Sequence, residues 1–262
     1  MPLQRRVLWL RVVLIVGVVA LWEGVVATGR YYPEVVLSLV TVGRSLFNIL
    51  TWPDYKVQLW GSEFLIPEFY WHLWVTVGEV GIAMAIGGLA GLAIGLLLGT
   101  NPFLSRAFER FLYYLGPTPK IIFFPLLIMW FGVGPGSKVA MGTISCFFPV
   151  VLSAAAGIRT VDAVLIRVGR SFRLSSWQMV TKIYLPAMRP SIVNGVRLGL
   201  GVAVIGTLLA ETKLSNQGVG YLIINSYSIF DMSRMYALLV LLFVVAIGAN
   251  ALVGRAGRAS RA

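Results

Sequence analysis

Residues 159–190 read RTVDAVLIRVGRSFRLSSWQMVTKIYLPAMRP and lie between two hydrophobic segments that are each long enough to cross a membrane. The cations of this basic stretch are Arg159, Arg167, Arg170, Arg173, Lys182 and Arg189. Each costs roughly 2.5–3.5 kcal/mol at the centre of a bilayer. Together they outweigh any gain from burying the apolar residues among them. The stretch therefore lies in water on one side of a membrane that its neighbours cross.

The pattern inside the stretch indicates two short helices. An apolar stripe recurs at helical spacing, at Val161, Leu165, Val168 and Phe172. Asp162 is placed to cap the first helix, and Ser175 with Gln178 has capping-box spacing for the second. The second helix is expected to present Trp177 and to end before Pro186. An exposed apolar stripe needs a cover, which is either the lipid surface or a partner protein.

Three runs carry a resemblance to a known family. They are LGPTPKIIFFPLLIMWFGVG at Leu115–Gly134, SFRLSSWQMVTKIYLPAMRPSIVNGVRLGLG at Ser171–Gly201 and GVGYLI at Gly218–Ile223. In this order they resemble the permeases of binding-protein-dependent ABC transporters, more narrowly the nitrate/sulfonate/taurine importers. The resemblance extends from about Val75 to the C-terminus. It implies that the basic stretch forms a coupling helix that docks into a groove of a cytoplasmic ATPase.

The resemblance also implies which residues couple to the ATPase. They are Val168, Gly169, Phe172, Arg173, Leu174, Ser175, Trp177, Gln178 and Pro186. The family usually carries Glu-Ala-Ala followed by glycine, whereas this chain has Arg167-Val168-Gly169 and Arg173 at the matching positions. These departures concern the detail of the ATPase contact rather than its location.

Composition favours a membrane protein. Hydrophobic residues make up 58% of the chain, charged residues 12%, and the mean hydropathy is +0.84. Soluble domains average about 25% charged residues. A net charge of +12 also suits nucleic-acid binding, but no such motif accompanies it, and positive charge at a cytoplasmic face explains it. Cys146, the only cysteine, is expected in a helix core, and His72 lies among aromatic residues typical of a membrane interface.

The hydrophobic pattern predicts an all-α integral membrane protein with six transmembrane helices. The spans are Val7–Thr28, Trp74–Thr100, Phe108–Phe131, Val139–Ile158, Ser191–Leu209 and Met235–Val253. The basic stretch, as the coupling segment, joins the fourth to the fifth. With both termini in the cytoplasm, the inside carries about twice as many lysines and arginines as the outside. This orientation predicts a multi-pass protein of the bacterial cytoplasmic membrane.

Two regions differ in character. Residues 1–74 are expected to hold the first transmembrane helix and an outer loop, and residues 75–262 the permease core. Within the loop, Val35–Leu50 has the spacing of an amphipathic surface helix. The remainder of the loop carries no further assignment.

Glycines recur at four-residue spacing in the second and fifth spans. They are Gly87, Gly91, Gly95 and Gly99, followed by Gly195 and Gly199. Small residues at this spacing let another backbone approach closely. The sequence leaves open whether that backbone belongs to a second subunit or to the same chain.

Five residues are candidates for the solute path or its gate. They are Glu79, Pro117, Pro119, Pro125 and Glu211. The prolines interrupt the third span, and broken helices are tolerated where they border a cavity or neighbouring helices. A carboxylate inside a span, as at Glu79, is costly and indicates either a gate or an ion pair. Glu211 lies in a polar segment expected at the outer face, which a solvated loop would also explain.

The reading that accounts for these features is the permease subunit of an ATP-driven ABC importer. The sequence contains no nucleotide-binding loop, metal cluster or catalytic triad, so neither a cofactor nor enzymatic activity is expected in this chain. The resemblance implies three partners: cytoplasmic ATPase subunits, an extracytoplasmic solute-binding protein, and a second permease subunit, identical or not. A secondary transporter or channel, working without an ATPase, is the alternative. Nitrate-like, sulfonate-like and heterocyclic solutes remain open.

Overall fold

A computed structural model describes residues 3–32, 34–59 and 62–259, and the chain is mostly helical. The helices are α1 (Leu3–Ala27), α2 (Leu39–Thr51), α3 (Glu68–Thr100), α4 (Pro102–Leu115), α5 (Phe124–Phe131), α6 (Pro135–Arg159), α7 (Ala163–Ser171), α8 (Ser176–Met179), α9 (Leu185–Ala187), α10 (Arg189–Lys213), α11 (Val219–Ser228) and α12 (Met232–Ala259). A 3-10 helix, Lys120–Phe123, precedes α5, and a π-helix, Val180–Tyr184, joins α8 to α9.

Among the described residues, five helices are long and apolar enough to cross a membrane. They are α1, α3, α6, α10 and α12. They correspond to the predicted spans other than the third. That span is divided between α4 and the helical segment Lys120–Phe131, which meet at 93°. Counting this pair as one span gives up to six. The predicted cytoplasmic termini include residues 1–2 and 260–262, which lie outside the described part of the chain.

The bend in the third span follows from its prolines. Helix α4 ends at Leu115, and its C-cap is Gly116. Pro119 is extended and precedes the 3-10 helix. A proline ring disfavours helical backbone at the residue before it and removes an amide donor, so a helix seldom runs through two closely spaced prolines.

The prediction of an all-α fold is wrong for the outer loop, which contains an antiparallel hairpin. Its strands are β1 (Tyr55–Leu59) and β2 (Ser62–Ile66), with Tyr55 opposite Ile66 and Leu59 opposite Ser62. In the sequence, Tyr55, Val57 and Leu59 alternate with polar residues, which is the two-residue period of a strand. Local alternation over five residues is short, so this signal is easily missed.

The chain packs as two compact units. One contains Met1–Trp71 and Leu222–Leu241, and the other contains His72–Tyr221 and Leu242–Ala262. This division assigns residues 222–241 to the same unit as the N-terminal segment. The boundary expected from sequence, near residue 74, stays a prediction.

In the first unit, α2 is tied to α1 at its start. Ser38 caps α2 by accepting from the Thr41 amide. The Glu23 carboxylate of α1 accepts from the Leu39 amide at 2.6 Å, and Trp22 donates to the Leu37 carbonyl at 2.9 Å. The predicted helix at Val35–Leu50 is therefore confirmed as a helix, with its start moved to Leu39 because the cap is Ser38.

In the second unit, α6 packs against both α3 and α10 through glycines. A side-chain carbon at Gly91 would lie 2.9 Å from the Phe147 carbonyl oxygen and 3.0 Å from Val150 Cβ. At Gly199 it would lie 2.9 Å from Val150 Cγ2. Cys146 is buried in this packing, as expected from the sequence. The close approach at these glycines is between helices of one chain.

Replacing Gly91 by leucine should destabilise the protein, because the leucine side chain would collide with the backbone of α6 at Phe147 and with the Val150 side chain. Overpacking of this kind costs about 1–3 kcal/mol. Gly88 is the matched control, since it lies one turn away on the same helix with nothing within 4 Å of an added Cβ. The melting temperature measured by thermal unfolding in detergent should fall clearly for Gly91→Leu and change little for Gly88→Leu. Equal melting temperatures for the two variants would contradict the packing described.

Candidate functional site

The basic stretch folds as a compact helical elbow, which we define as α7, α8, the π-helix and α9. Asp162 caps α7, with Oδ1 accepting from the Val164 amide at 2.7 Å. Both hydrogen bonds of the predicted capping box form between Ser175 and Gln178. These caps satisfy amide groups that would otherwise be unpaired at helix starts. The short helices are thus specified by their own sequence.

The second arm of the elbow extends further than predicted. The helical run from α8 continues through the π-helix into α9, so Pro186 lies within it rather than beyond its end. The amide of Leu185 donates to the Val180 carbonyl, a π-type bond. Proline lacks an amide donor and clashes with the preceding turn, and a wider turn at this point accommodates it.

Gly169 lets the two arms of the elbow meet. A Cβ at this position would collide with the Ile183 Cδ1 atom and lie 2.6 Å from the Met179 sulfur. A small residue at this position therefore lets α7 lie close to the second arm, and a larger one would require the ends of the Ile183 and Met179 side chains to move.

Arg173 closes α7 in a conformation that usually requires glycine. Its φ is +50°, in the left-handed region. The Leu174 amide donates to the Gly169 carbonyl at 3.1 Å, and the Arg173 amide to the Arg170 carbonyl at 2.9 Å. Paired bonds of this kind mark a helix C-terminus that glycine commonly ends. The missing turn glycine is therefore replaced by an arginine that keeps the turn and strains it.

The elbow exposes large apolar side chains and is anchored at its base. Phe172 and Trp177 are 77% and 74% exposed in the single chain. At the end of α6, the Arg159 guanidinium pairs with Glu109 and donates to Ser105 Oγ at 3.1 Å. This ion pair ties α6, which leads into the elbow, to α4. The elbow thus presents aromatic groups next to a base that is joined to α4.

A second candidate site is a buried polar cluster at the start of α11. Its members lie on α3, α6 and α10, in the turn before α11 and in the first turn of α11, and they are His72, Thr76, Glu79, Lys138, Glu211, Gly218 and Gly220. Three amides at the start of α11 are each bound by a side chain from another helix. Gly218 donates to His72 Nδ1 at 2.9 Å, Val219 to Thr76 Oγ1 at 2.9 Å, and Gly220 to Glu211 Oε2 at 2.7 Å.

Glu211 is the centre of this cluster. Its other oxygen, Oε1, accepts from Thr76 Oγ1 at 2.7 Å, so both carboxylate oxygens are bound. A Cβ at Gly218 would collide with the carboxyl group, and one at Gly220 would lie 2.7 Å from Glu211 Cβ. The glycines of the GVG turn therefore leave the space that the carboxyl group occupies.

Two expectations are corrected by this cluster. Glu211 was expected in a polar outer segment, either as a gate residue or in a solvated loop, but α10 continues to Lys213 and buries it completely, which contradicts the solvated loop. His72 was expected at a lipid interface, whereas it is 2% exposed and binds the Gly218 amide. The hydrogen bonds between Glu211 and Thr76 and between His72 and Gly218 each join residues more than one hundred positions apart in the chain. Sequence spacing therefore could not reveal them.

Lys138 and Glu79 complete the buried charges. The Lys138 ammonium is buried and donates to the carbonyls of Val133 and Leu214, to the latter at 2.6 Å. The carboxyl groups of Glu79 and Glu211 are close enough to interact, and Lys138 lies within electrostatic range of both. Glu79 and Glu211, two of the candidate path residues, are thus brought together.

The proline candidates lie elsewhere. Pro117 and Pro119 lie at the bend after α4, and Pro125 lies in the first turn of α5. All three are exposed in the single chain. Within the described residues, no group of three or more histidine, cysteine or carboxylate side chains could hold a metal ion.

Comparisons with known proteins agree with one another. A family model described as a binding-protein-dependent transport system inner membrane component matches residues 87–261. The chain is 30% identical to the putative aliphatic sulfonates transport permease protein SsuC of Bacillus subtilis, over 93% of this chain and 84% of the relative. It is 29% identical to the taurine transport system permease protein TauC of Escherichia coli, over 61% of this chain and 58% of the relative.

Two further comparisons involve proteins of lower sequence identity. The nitrate import permease protein NrtB of Leptolyngbya laminosa is 23% identical, over 71% of this chain and 66% of the relative. Among solved structures, an inward-facing form of the MetNI methionine ABC transporter is similar in fold, with a TM-score of 0.65 at 21% identity. That match covers 71% of this chain and 93% of the other.

Replacing Arg173 by glycine should stabilise the elbow, because glycine adopts a positive φ without strain. The left-handed conformation costs residues other than glycine about 1–2 kcal/mol. Glycine avoids this strain but loses about 0.5–1 kcal/mol more backbone entropy on folding, so the net stabilisation is smaller than the strain. Arg173→Ala is the matched control, since it removes the same side chain and keeps the strain. Hydrogen exchange of the α7–α8 region should be slower in Arg173→Gly than in Arg173→Ala. Equal exchange in both variants would contradict the strained turn.

Proposed function

This chain belongs to the family of binding-protein-dependent transport system inner membrane components, and from that premise we propose that its elbow is the docking site of a separate ATPase. The chain is the permease subunit of an ABC importer, as the sulfonate, taurine and nitrate permeases among its relatives are. The observation that carries the docking proposal is the exposure of Phe172 and Trp177 on a capped, rigid turn between two membrane helices.

The elbow is suited to transmit motion. Its apolar side chains can bury against a partner, and aromatic residues are frequent among those that dominate interface energy. Its base is joined to α4 by the Arg159–Glu109 ion pair, and its two arms are in contact at Gly169. Movement of a partner bound to the elbow would therefore be passed to α6 and α4. ATP binding by the partner would then shift the population of access states.

The direction of the elbow follows from charge. Its lysines and arginines, with those near both termini, favour the cytoplasmic side, so we place both ends of the chain there. The elbow then faces the cytoplasmic ATPase between the fourth and fifth spans. The turn before α11 faces the opposite side, where an extracytoplasmic solute-binding protein would deliver its ligand.

A second permease subunit and lipid are the proposed covers of the remaining apolar surface. Among the described residues, none in the most apolar part of α1 is buried against the rest of the chain. Helices with this composition are stable only in contact with lipid or other helices. Two permease subunits, identical or not, would form the solute path between them. Glu79, Glu211 and the prolines of the third span are the residues that we assign to that path or its gate.

Introducing a charge at Phe172 or Trp177 should abolish binding of the ATPase and solute uptake. An aromatic side chain at an interface centre contributes about 2–4 kcal/mol, so affinity should fall roughly thirty- to thousand-fold. Tyr32→Asp is the control, because Tyr32 is 82% exposed and lies between α1 and α2. Co-purification of the ATPase with each tagged variant is the measurement.

Two results would count against this assignment. Normal ATPase recovery with Phe172→Asp and Trp177→Asp would remove the elbow as the docking site. Uptake by the purified chain in vesicles without any ATPase would instead favour a secondary transporter or channel.

A further inference from the structure

Helix α10 has two faces of different character. Gly195 and Gly199 lie on the face that packs closely against α6. On the opposite face, Asn194, Arg197 and Gly201 recur at helical spacing and are exposed in the single chain. A Cβ added at Gly201 would meet no neighbouring atom of the described chain within 4 Å. The exposed face of α10 therefore carries an arginine with open space one turn beyond it.

Arg197 lies inside a membrane span rather than at its end. It follows Arg189, the first residue of α10, by about 12 Å along the helix axis, and Lys213 at the other end is about 24 Å away. A cation in contact with lipid tails is costly, and cations inside membrane spans face a water-filled cavity, the interior of a bundle or a group of opposite charge. The face of α10 that carries Arg197 is therefore expected to contact water or an anion.

The bond between Arg197 and Asn250 determines which groups stay available. Arg197 Nε donates to Asn250 Oδ1 of α12 at 2.8 Å. Because Nε can only donate, the amide of Asn250 presents its oxygen to the arginine, and its NH₂ group is left over. In the described part of the chain no carboxylate pairs with Arg197, and its two terminal nitrogens make no hydrogen bond. The free nitrogens of the pair are all donors, and the pair carries a positive charge.

This set of donors matches one class of ligand. A guanidinium presents its N–H groups as a planar fork that binds two oxygens of a carboxylate or phosphate group at once. The Asn250 NH₂ group offers a further donor beside the fork. A positive charge with several donors disfavours a ligand that carries only a positive charge. The ligand that satisfies the pair is therefore an oxyanion.

We propose that Arg197 and Asn250 bind an oxyanionic group of the solute inside the membrane, on a face of α10 that borders the solute path. The open space at Gly201 leaves room for the rest of the molecule. The inference rests on the proposed importer function. It goes beyond that function because it places a binding site for the solute in the permease itself and gives the chemical class of the group that is bound.

Two thiol reagents of similar size and opposite charge test the proposal. Gly201→Cys in a Cys146→Ala background places a single thiol one turn from Arg197. The protein is the purified permease–ATPase complex in lipid nanodiscs. Relative to their rates with free cysteine, the anionic methanethiosulfonate ethylsulfonate should label this thiol about tenfold or more faster than the cationic ethyltrimethylammonium reagent. Arg197→Gln keeps a polar side chain and loses the charge, so it should remove this preference.

Protection experiments distinguish binding from attraction alone. In a fixed potassium chloride background, excess ethanesulfonate should slow the labelling of Gly201→Cys, whereas ethylammonium at the same concentration should not. The protection should be lost in Arg197→Gln. Asn194→Cys, one turn before Arg197 on the same face, is the second position if Gly201→Cys fails to assemble.

Several results would overturn the proposal. Equal relative rates for the two reagents, or labelling that ethanesulfonate does not slow, would show that no oxyanion binds at this face. No labelling at either position would show that lipid or another subunit covers it. A preference unchanged in Arg197→Gln would place its source elsewhere. A preference that appears only in maltoside detergent, after phospholipid is removed, would assign Arg197 to a lipid headgroup instead.

Recovery of the ATPase on the same preparations checks the importer function separately. A complex that keeps its ATPase and shows no charge preference removes the oxyanion site and leaves the importer function in place. A permease that recovers no ATPase removes the importer function itself.

Discussion

The free energy required to place a guanidinium or ammonium group in hydrocarbon is the constraint on which this structure depends. Six such groups occur within residues 159–190, and the chain on both sides of them is apolar over the length of a membrane span. The stretch between must therefore leave the bilayer, and it does so as a folded elbow rather than an open loop. Its caps, its glycine contact and its strained turn at Arg173 all preserve a fixed shape outside the membrane. A fixed shape is what a mechanical contact with another protein requires.

The same constraint governs the charges that remain inside. Arg197, in the middle of α10, donates to the Asn250 side chain of α12 at 2.8 Å. Glu211 is bound through both oxygens, and Lys138 donates to two carbonyls. Each of these groups has at least one partner that is distant in sequence, such as Thr76 for Glu211 and Leu214 for Lys138. Glu79 is also buried, and its carboxyl group lies beside that of Glu211 in the same cluster.

The sequence predicted the features that depend on local pattern. Apolar length identified the spans, and the spacing of Ser175 and Gln178 located the start of α8. The sequence did not predict the burial of His72 and Glu211. Each of these side chains binds a partner that is more than one hundred residues away in the chain, and sequence spacing does not show such contacts. The hairpin β1–β2 was missed because its alternation is brief. The predicted helix end before Pro186 is wrong, because the π-type turn that accommodates this proline leaves no signature in the sequence.

The side of the membrane on which the elbow lies tests the account most directly. Lys182 is exposed on the elbow, and Cys146 is buried, so a Cys146→Ala background carrying Lys182→Cys presents a single accessible thiol. A membrane-impermeant maleimide should label this thiol in inverted vesicles and not in intact spheroplasts. A Tyr32→Cys chain in the same background should show the opposite pattern. Labelling of Lys182→Cys from outside intact spheroplasts would place the elbow on the wrong side and contradict the coupling of this permease to a cytoplasmic ATPase.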